Sequence, residues 1–345
     1  MTTNPAVAER EPRANRRSLP NRTIETMAHA GAPPWSGGLG VQVNNNMSPE
    51  QMLKAAHIDW TVSKRDIFYL DKDKHSKVIK DKRALVRDTD DHMLTVTGVN
   101  WKPVQNHDSV GFFKKFVVSG HMAMEHMGSL GQGKFIWALA KINKAFSLGK
   151  DDEVVGYLLL MQPHQQGRAM VFQNLASRTW CWNTLTRKLS AKGEGTFRMP
   201  HSIEFNDATK KVAETALKLA VDNFNQLKEE ATLLSKAKVN EKQVEQFFCD
   251  VMQYDPKKAA AEAKKNNEEP TEPRVLSAFR NALEFSPGNQ LPSAKGTLWG
   301  AVNAVTYVID HELGRQRDAA LRTAWFGQNA NLKRRAFDMA VELAK

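Results

Sequence analysis

The longest apolar run in the chain, Val154-Val155-Gly156-Tyr157-Leu158-Leu159-Leu160-Met161, is only eight residues long. A membrane-spanning helix needs about 20 apolar residues, so this run belongs inside a folded body rather than a bilayer. Eight residues suit a buried strand. A polar turn at 164–167 and a second apolar stretch at 169–175 follow, and together they predict a hairpin. Hydrophobic residues make up 41% of the 345 residues and charged residues 25%. That supplies a sizeable core and excludes disordered, collagen-like and disulfide-stapled chains; the length suggests about two folding units. The first 17 residues hold no apolar signal core. Cys181 and Cys249 have neither zinc nor redox spacing, which points to a reducing compartment.

Charge narrows the partners. Lys plus Arg total 49 against 38 Asp plus Glu, a formal excess of +11. Such a field concentrates polyanions. Residues 1–45, with Arg10, Arg13, Arg16, Arg17 and Arg22, read as a flexible basic arm that touches phosphates or a neighbouring subunit, or as a solvated tail. Ser48-Pro49-Glu50-Gln51 marks a helix start. Apolar pieces at 67–70, 78–79, 84–87 and 93–99, separated by Asp-rich turns, predict an antiparallel meander.

Between 109 and 147, Phe112, Phe116, Val117, His121, Met124, Met127, Phe135, Ile136, Leu139, Ile142 and Phe146 recur at three- and four-residue steps. This predicts two helices, or one broken at Gly128 and Gly131-Gln132-Gly133. Helix is also expected over 182–191, 207–252 and 275–345, with 254–274 a polar linker or helical extension. The expected class is therefore α+β: an antiparallel β-meander and hairpin sheet packed on a long helix, followed by a helical C-terminal region. The segments are 1–45 as arm, 46–205 as α+β core, 206–253 as helical, 254–274 as linker and 275–345 as C-terminal helices.

Three patterns carry chemistry. Arg178-Thr179-Trp180-Cys181-Trp182-Asn183-Thr184-Leu185 lies between Arg168 and the bases Arg187, Lys188 and Lys192. Indoles interleaved with cations are the ingredients of a single-strand platform, since rings stack on bases while Lys and Arg track phosphates. The alternative is that a tryptophan is core and the cations form a solvated rim. Cys181 has no identifiable general base beside it. In the segment 296–311, helical steps place Trp299, Asn303, Thr306 and Asp310 on one face, which either pairs with a neighbouring element or faces a ligand. A third run holds Arg315, Arg317, Arg322, Lys333, Arg334 and Arg335, cations that complement a helix C-terminal dipole or, given their number, are expected to face phosphate or another subunit. His121-Met122-Ala123-Met124-Glu125-His126 matches neither zinc-protease spacing. No phosphate-binding Gly-x-x-x-x-Gly-Lys-Ser/Thr loop occurs, so ATP-driven chemistry is not expected.

In combination, Arg178-x-Trp180-Cys181-x-Asn183-Thr184-Leu185, Gly296-Thr297-x-Trp299-Gly300-Ala301-x-Asn303-Ala304-Val305-Thr306 with Asp310-His311, Phe326-Gly327, and Val99-Asn100-Trp101-Lys102-Pro103-Val104-Gln105-Asn106 resemble the phage/plasmid-like family of mobile elements, a domain of unknown function. The resemblance covers roughly 90–345. By analogy of strand–helix order, it extends to single-strand annealing proteins of the Rad/Erf/RecT kind, which assemble into rings or filaments.

The resemblance implies an oligomeric, ATP-independent protein of bacteriophage recombination or replication. It would bind and anneal single-stranded DNA in the cytoplasm of a bacterial host, as a homo-oligomer, with no membrane, cofactor or metal. Phosphate contacts are expected from Arg168, Arg178, Arg187, Lys188 and Lys192, and stacking from Trp180 or Trp182. Lys134, Lys141 and Lys144 would contribute from the helix expected there. One rival is a nucleotide- or nucleic-acid-acting enzyme that uses Asn303, Asp310 and His311 with Cys181 or His201. Another is a structural protein whose basic surface contacts other proteins.

Overall fold

The computed structural model describes residues 27–31, 40–178, 184–185, 196–313, 323–325 and 327–345, without the side chains of 215–223. Four long antiparallel strands form its centre: β6 (Met122–Leu130), β7 (Phe135–Leu148), β8 (Asp152–Pro163) and β9 (Ala169–Arg178). β1 (Met27–His29) pairs antiparallel with β6 and parallel with β2 (Val41–Gln42), so part of the segment read as an arm is built into the sheet. At the other side, β10 (Thr184–Leu185) and β11 (Thr196–Pro200) pair with opposite ends of β9.

The helix expected across 109–147 is replaced by two short helices, α2 (Asn106–Gly111) and α3 (Lys114–Val118), and then by the β6–β7 hairpin. The reason lies in burial. Along β7, Phe135, Trp137 and Leu139 pack into one hydrophobic cluster, while Ile136, Ala138 and Ala140 pack into another on the opposite face. A strand covered on both faces loses its alternation, and a continuous apolar run sampled every three or four residues imitates a helix. Gly131, Gln132 and Gly133 all have positive φ and make the turn. The 154–161/169–175 hairpin forms as β8–β9, with Leu158 opposite Asn174.

Two layers cover this sheet. On one face lie α1 (Pro49–Ala55), α2, α3 and a separate three-stranded sheet of β3 (Val62–Leu70), β4 (Ser76–Arg87) and β5 (His92–Gly98), which is the expected meander. Ser48 caps α1 through a capping box with Gln51, and Pro49 opens the helix. On the other face lie α4 (Asp207–Lys236), α5 (Glu241–Met252), α7 (Arg274–Phe285), α8 (Leu298–Tyr307) with its π-helical continuation Val308–Glu312, and α9 (Gln328–Leu343). The long helix against the sheet is thus α4, where Phe224 meets Phe146 at 5.3 Å between ring centroids.

The stretch 207–252 is two helices because Asn240 and Gln243 form a fresh capping box after extended Ala237. Residues 254–274, read as a polar linker or helical extension, contain the helix α6 (Pro256–Asn266), capped by Asp255. Thr184–Leu185, expected in a helix, is strand; the rest of 182–191 lies outside the described residues. Among the described residues, no helix is long and apolar enough to cross a membrane.

Candidate functional site

The sequence motifs meet between the end of β9 and the start of α8. Arg178 is fully buried. Its Nε and Nη2 donate to the two oxygens of Asp152 at 2.5 and 2.7 Å, a bidentate pair between the ends of neighbouring strands. Asp152 Oδ2 also accepts from Ser293 Oγ at 2.6 Å and from the Trp299 indole at 3.0 Å. Arg178 Nη2 donates again to the Gly288 carbonyl at 2.7 Å, and Nη1 lies 3.4 Å from Asn289 Oδ1. Asn289 in turn donates to the Gly300 carbonyl.

Gly300 owes its identity to this closeness: a Cβ there would stand 2.2 Å from the Ala294 carbonyl oxygen. Arg178, read from sequence as a phosphate contact, therefore spends its guanidinium inside the protein. A buried charge is tolerable only when so paired.

A second buried pair lies about three helical turns further along, at Asp310. Lys333 Nζ donates to Asp310 Oδ1 at 2.6 Å and to Thr184 Oγ1 at 2.7 Å, while Asp310 Oδ2 accepts from the Thr184 amide and hydroxyl. Burial pushes the Lys333 ammonium below its ordinary range, opposed by the Asp310 charge beside it. Asp310 sits in the π-helical turn, closed by the Leu313 amide donating to the Val308 carbonyl.

On the same stripe Asn303 donates to the Trp299 carbonyl and Thr306 to that of Asn303. The stripe at Trp299, Asn303, Thr306 and Asp310 is therefore built on protein–protein bonds, and Lys333, grouped in sequence with surface cations, is core. Its neighbour Arg335 donates to the Val251 carbonyl. Asp152, Ser293 and Asn289 had no signal in sequence, because their role depends on which strands and loops they meet.

Other sequence candidates separate. His201 stacks on Trp101, ring centroids 4.1 Å apart, on the opposite side of the sheet from Asp310. Beside it, His164 donates from Nε2 to Asn106 Oδ1 at 2.7 Å, since the Asn106 amide nitrogen already serves the Ile58 and Trp60 carbonyls. Burial, with His201 nearby, pushes the pKa of His164 down to about 3. His121 is exposed and bonded to Ser119, whereas His126 is buried in β6, so no helix face joins them. Among the described residues, Asp71, Asp73 and His75 bring potential metal-ligand atoms together. The Asp73 and His75 amides donating to Asp71 Oδ1 account for that turn.

The surface cations divide as well. Lys134 and Arg168 sit in the β6–β7 and β8–β9 turns at one end of the sheet, where the His164 amide donates to the Lys134 carbonyl. Lys141 and Lys144 lie roughly 20 Å or more along β7, at about 3.3 Å per residue, towards the other end. Trp180, Trp182, Arg187, Lys188 and Lys192 lie outside the described residues, as do Cys181, Arg315, Arg317 and Arg322. The described members do not form one furrow. A further exposed basic element is the β3–β4 hairpin, whose rings are Phe68 and Tyr69 rather than tryptophan.

The family model described as "Domain of unknown function (DUF932)" fits residues 93–336. No curated protein and no solved structure matches the chain.

Proposed function

Since this chain belongs to the DUF932 family over 93–336, a family whose description names no activity, we propose a function from the chain's own chemistry. It is an oligomeric, ATP-independent protein that binds single-stranded DNA and anneals complementary strands, serving phage recombination or replication. The observation that carries this reading is the division of charge. Among the described residues of the family segments, Arg178, Thr184, Asn303, Thr306 and Asp310 bond to one another or to other groups of the interior. The buried pairs Arg178–Asp152 and Lys333–Asp310 are each neutral, so the excess of +11 comes from the other residues, among them Lys134 and Arg168 on adjacent turns.

Cations that neutralise the backbone leave Watson–Crick edges free to find a complement. Affinity should then fall with salt, by about 0.7 log units per log unit of salt for each phosphate neutralised. Fluorescence anisotropy with single- and double-stranded oligonucleotides across a salt series tests this, beside an annealing assay without ATP. Salt-dependent preference for single strands is expected; undetectable or salt-independent binding overturns the reading.

A further inference from the structure

The β3–β4 hairpin changes character halfway along. Its base is anchored: Val62, Ala84, Leu85 and Val86 are buried, and β5 continues the sheet. Beyond the irregularity between Asp66 and Phe68, the strands leave the body. Phe68, Tyr69 and Leu70 are 57%, 54% and 67% exposed, and Val78 is 43% exposed. Strand alternation sends Phe68 and Tyr69 to opposite faces, so both faces of the projecting ribbon are wet. Soluble proteins seldom leave consecutive large apolar side chains uncovered without a use for them, and a bare two-stranded ribbon is marginal by itself.

The ribbon is also basic. From 62 to 87 there are nine Lys or Arg against four Asp. On one face Lys77 stands directly opposite Tyr69, and on the other Val78 stands opposite Phe68. Lys72, Lys74 and Lys80 are exposed, and among the described residues none of them has an acidic partner within ion-pair distance.

We infer that the projecting half of this hairpin is a finger for unpaired nucleic acid, with Phe68 and Tyr69 stacking on bases and the neighbouring lysines holding phosphates. This rests on the single-strand-binding reading above and assigns it a surface. Charge complementarity selects the occupant. A second copy would bring the same lysines onto a chain already carrying +11. A bilayer would have to admit the tip Asp71-Lys72-Asp73-Lys74-His75, where an inserting tip needs apolar residues. Duplex bases hide the ring faces that Phe68 and Tyr69 would meet, whereas unpaired bases offer them.

The test uses the full chain and three variants: Phe68→Ala/Tyr69→Ala, Lys72→Ala/Lys74→Ala/Lys80→Ala, and the ring-conserving Phe68→Tyr/Tyr69→Phe. All alter exposed side chains, and circular dichroism checks that each is folded. Anisotropy with an oligothymidine should show affinity falling at least about five-fold per lost ring. The lysine variant should lose up to about two units of salt slope, and the ring-conserving variant should bind as the parent does. If the parent binds and the first two variants match it, the finger is overturned and the proposed function stands. If the parent binds no oligonucleotide, both fall. If the variants instead change only the light-scattering mass, or only binding to phosphatidylserine vesicles, the ribbon serves self-association or a membrane and the finger is overturned.

Discussion

Arg178 and Lys80 carry the same formal charge in opposite circumstances. Arg178 is sealed between β8, β9 and α8, with Asp152 neutralising it and the Gly288 carbonyl taking a further bond. Lys80 stands in water on a ribbon with few partners. Removing the first leaves a buried carboxylate without its counter-ion, and its cost is structural. Removing the second costs the fold almost nothing, and any effect must appear in what the protein binds. The sealed core and the open hairpin can therefore be told apart by which measurement each substitution moves.

The largest effect is expected from Arg178→Ala, which strands Asp152 in the core; urea unfolding should show a loss of about 3–5 kcal/mol. Lys333→Met should cost a similar or slightly smaller amount by exposing Asp310 to the same penalty. Adding Asp310→Asn should recover part of it, so the double-mutant cycle should depart from additivity by about 0.5–3 kcal/mol. Additive behaviour would break the claim that the two residues act as a pair. Gly300→Ala should destabilise by about 1–3 kcal/mol, because its Cβ meets backbone that cannot step aside.

Acid should find the buried histidines. The folded pKa of His164 is depressed from 6.5 to about 3. Below pH 6.5 the unfolded imidazole therefore takes up a proton that the folded one refuses. Stability from this group is complete above about pH 7.5 and declines as pH falls towards 3, by up to about 1.4 kcal/mol per pH unit. His201, also depressed by burial, acts in the same direction. His164→Gln should flatten the slope between pH 6.5 and 4, measured as urea midpoints. The smallest stability change belongs to the hairpin: Phe68→Ala and Lys80→Ala should each stay within about 0.5 kcal/mol. A larger loss would mean the ribbon is part of the fold rather than a surface for a partner.

Local chemistry made much of the fold legible. Ser48 and Pro49 announce α1, the Gly167 turn announces the β8–β9 hairpin, and the Asp-rich turns mark out the meander. The break before α5 was also written locally, in Asn240-x-x-Gln243, but the apolar periodicity running through it concealed the cap. β7 was not legible, since covering both faces erases the alternation that distinguishes strand from helix. In the site, the stripe Trp299, Asn303, Thr306 and Asp310 was visible as a stripe, but its partners were not.

The chain by itself determined its charge excess, its turns and caps, and the segments that place it in its family. Turns and caps depend on residues within a few positions of one another, where backbone preference and side-chain capping act directly, and the charge excess is a plain count of residues. Tertiary structure alone decided that Arg178 and Lys333 are interior, and that Phe68 and Tyr69 remain in water. Whether a cation is buried beside a carboxylate or left facing solvent depends on which distant strand or helix arrives next to it. Asp152 comes to Arg178 from 26 residues away and Trp299 comes to Asp152 from 147, separations over which residue type and spacing carry no record of contact.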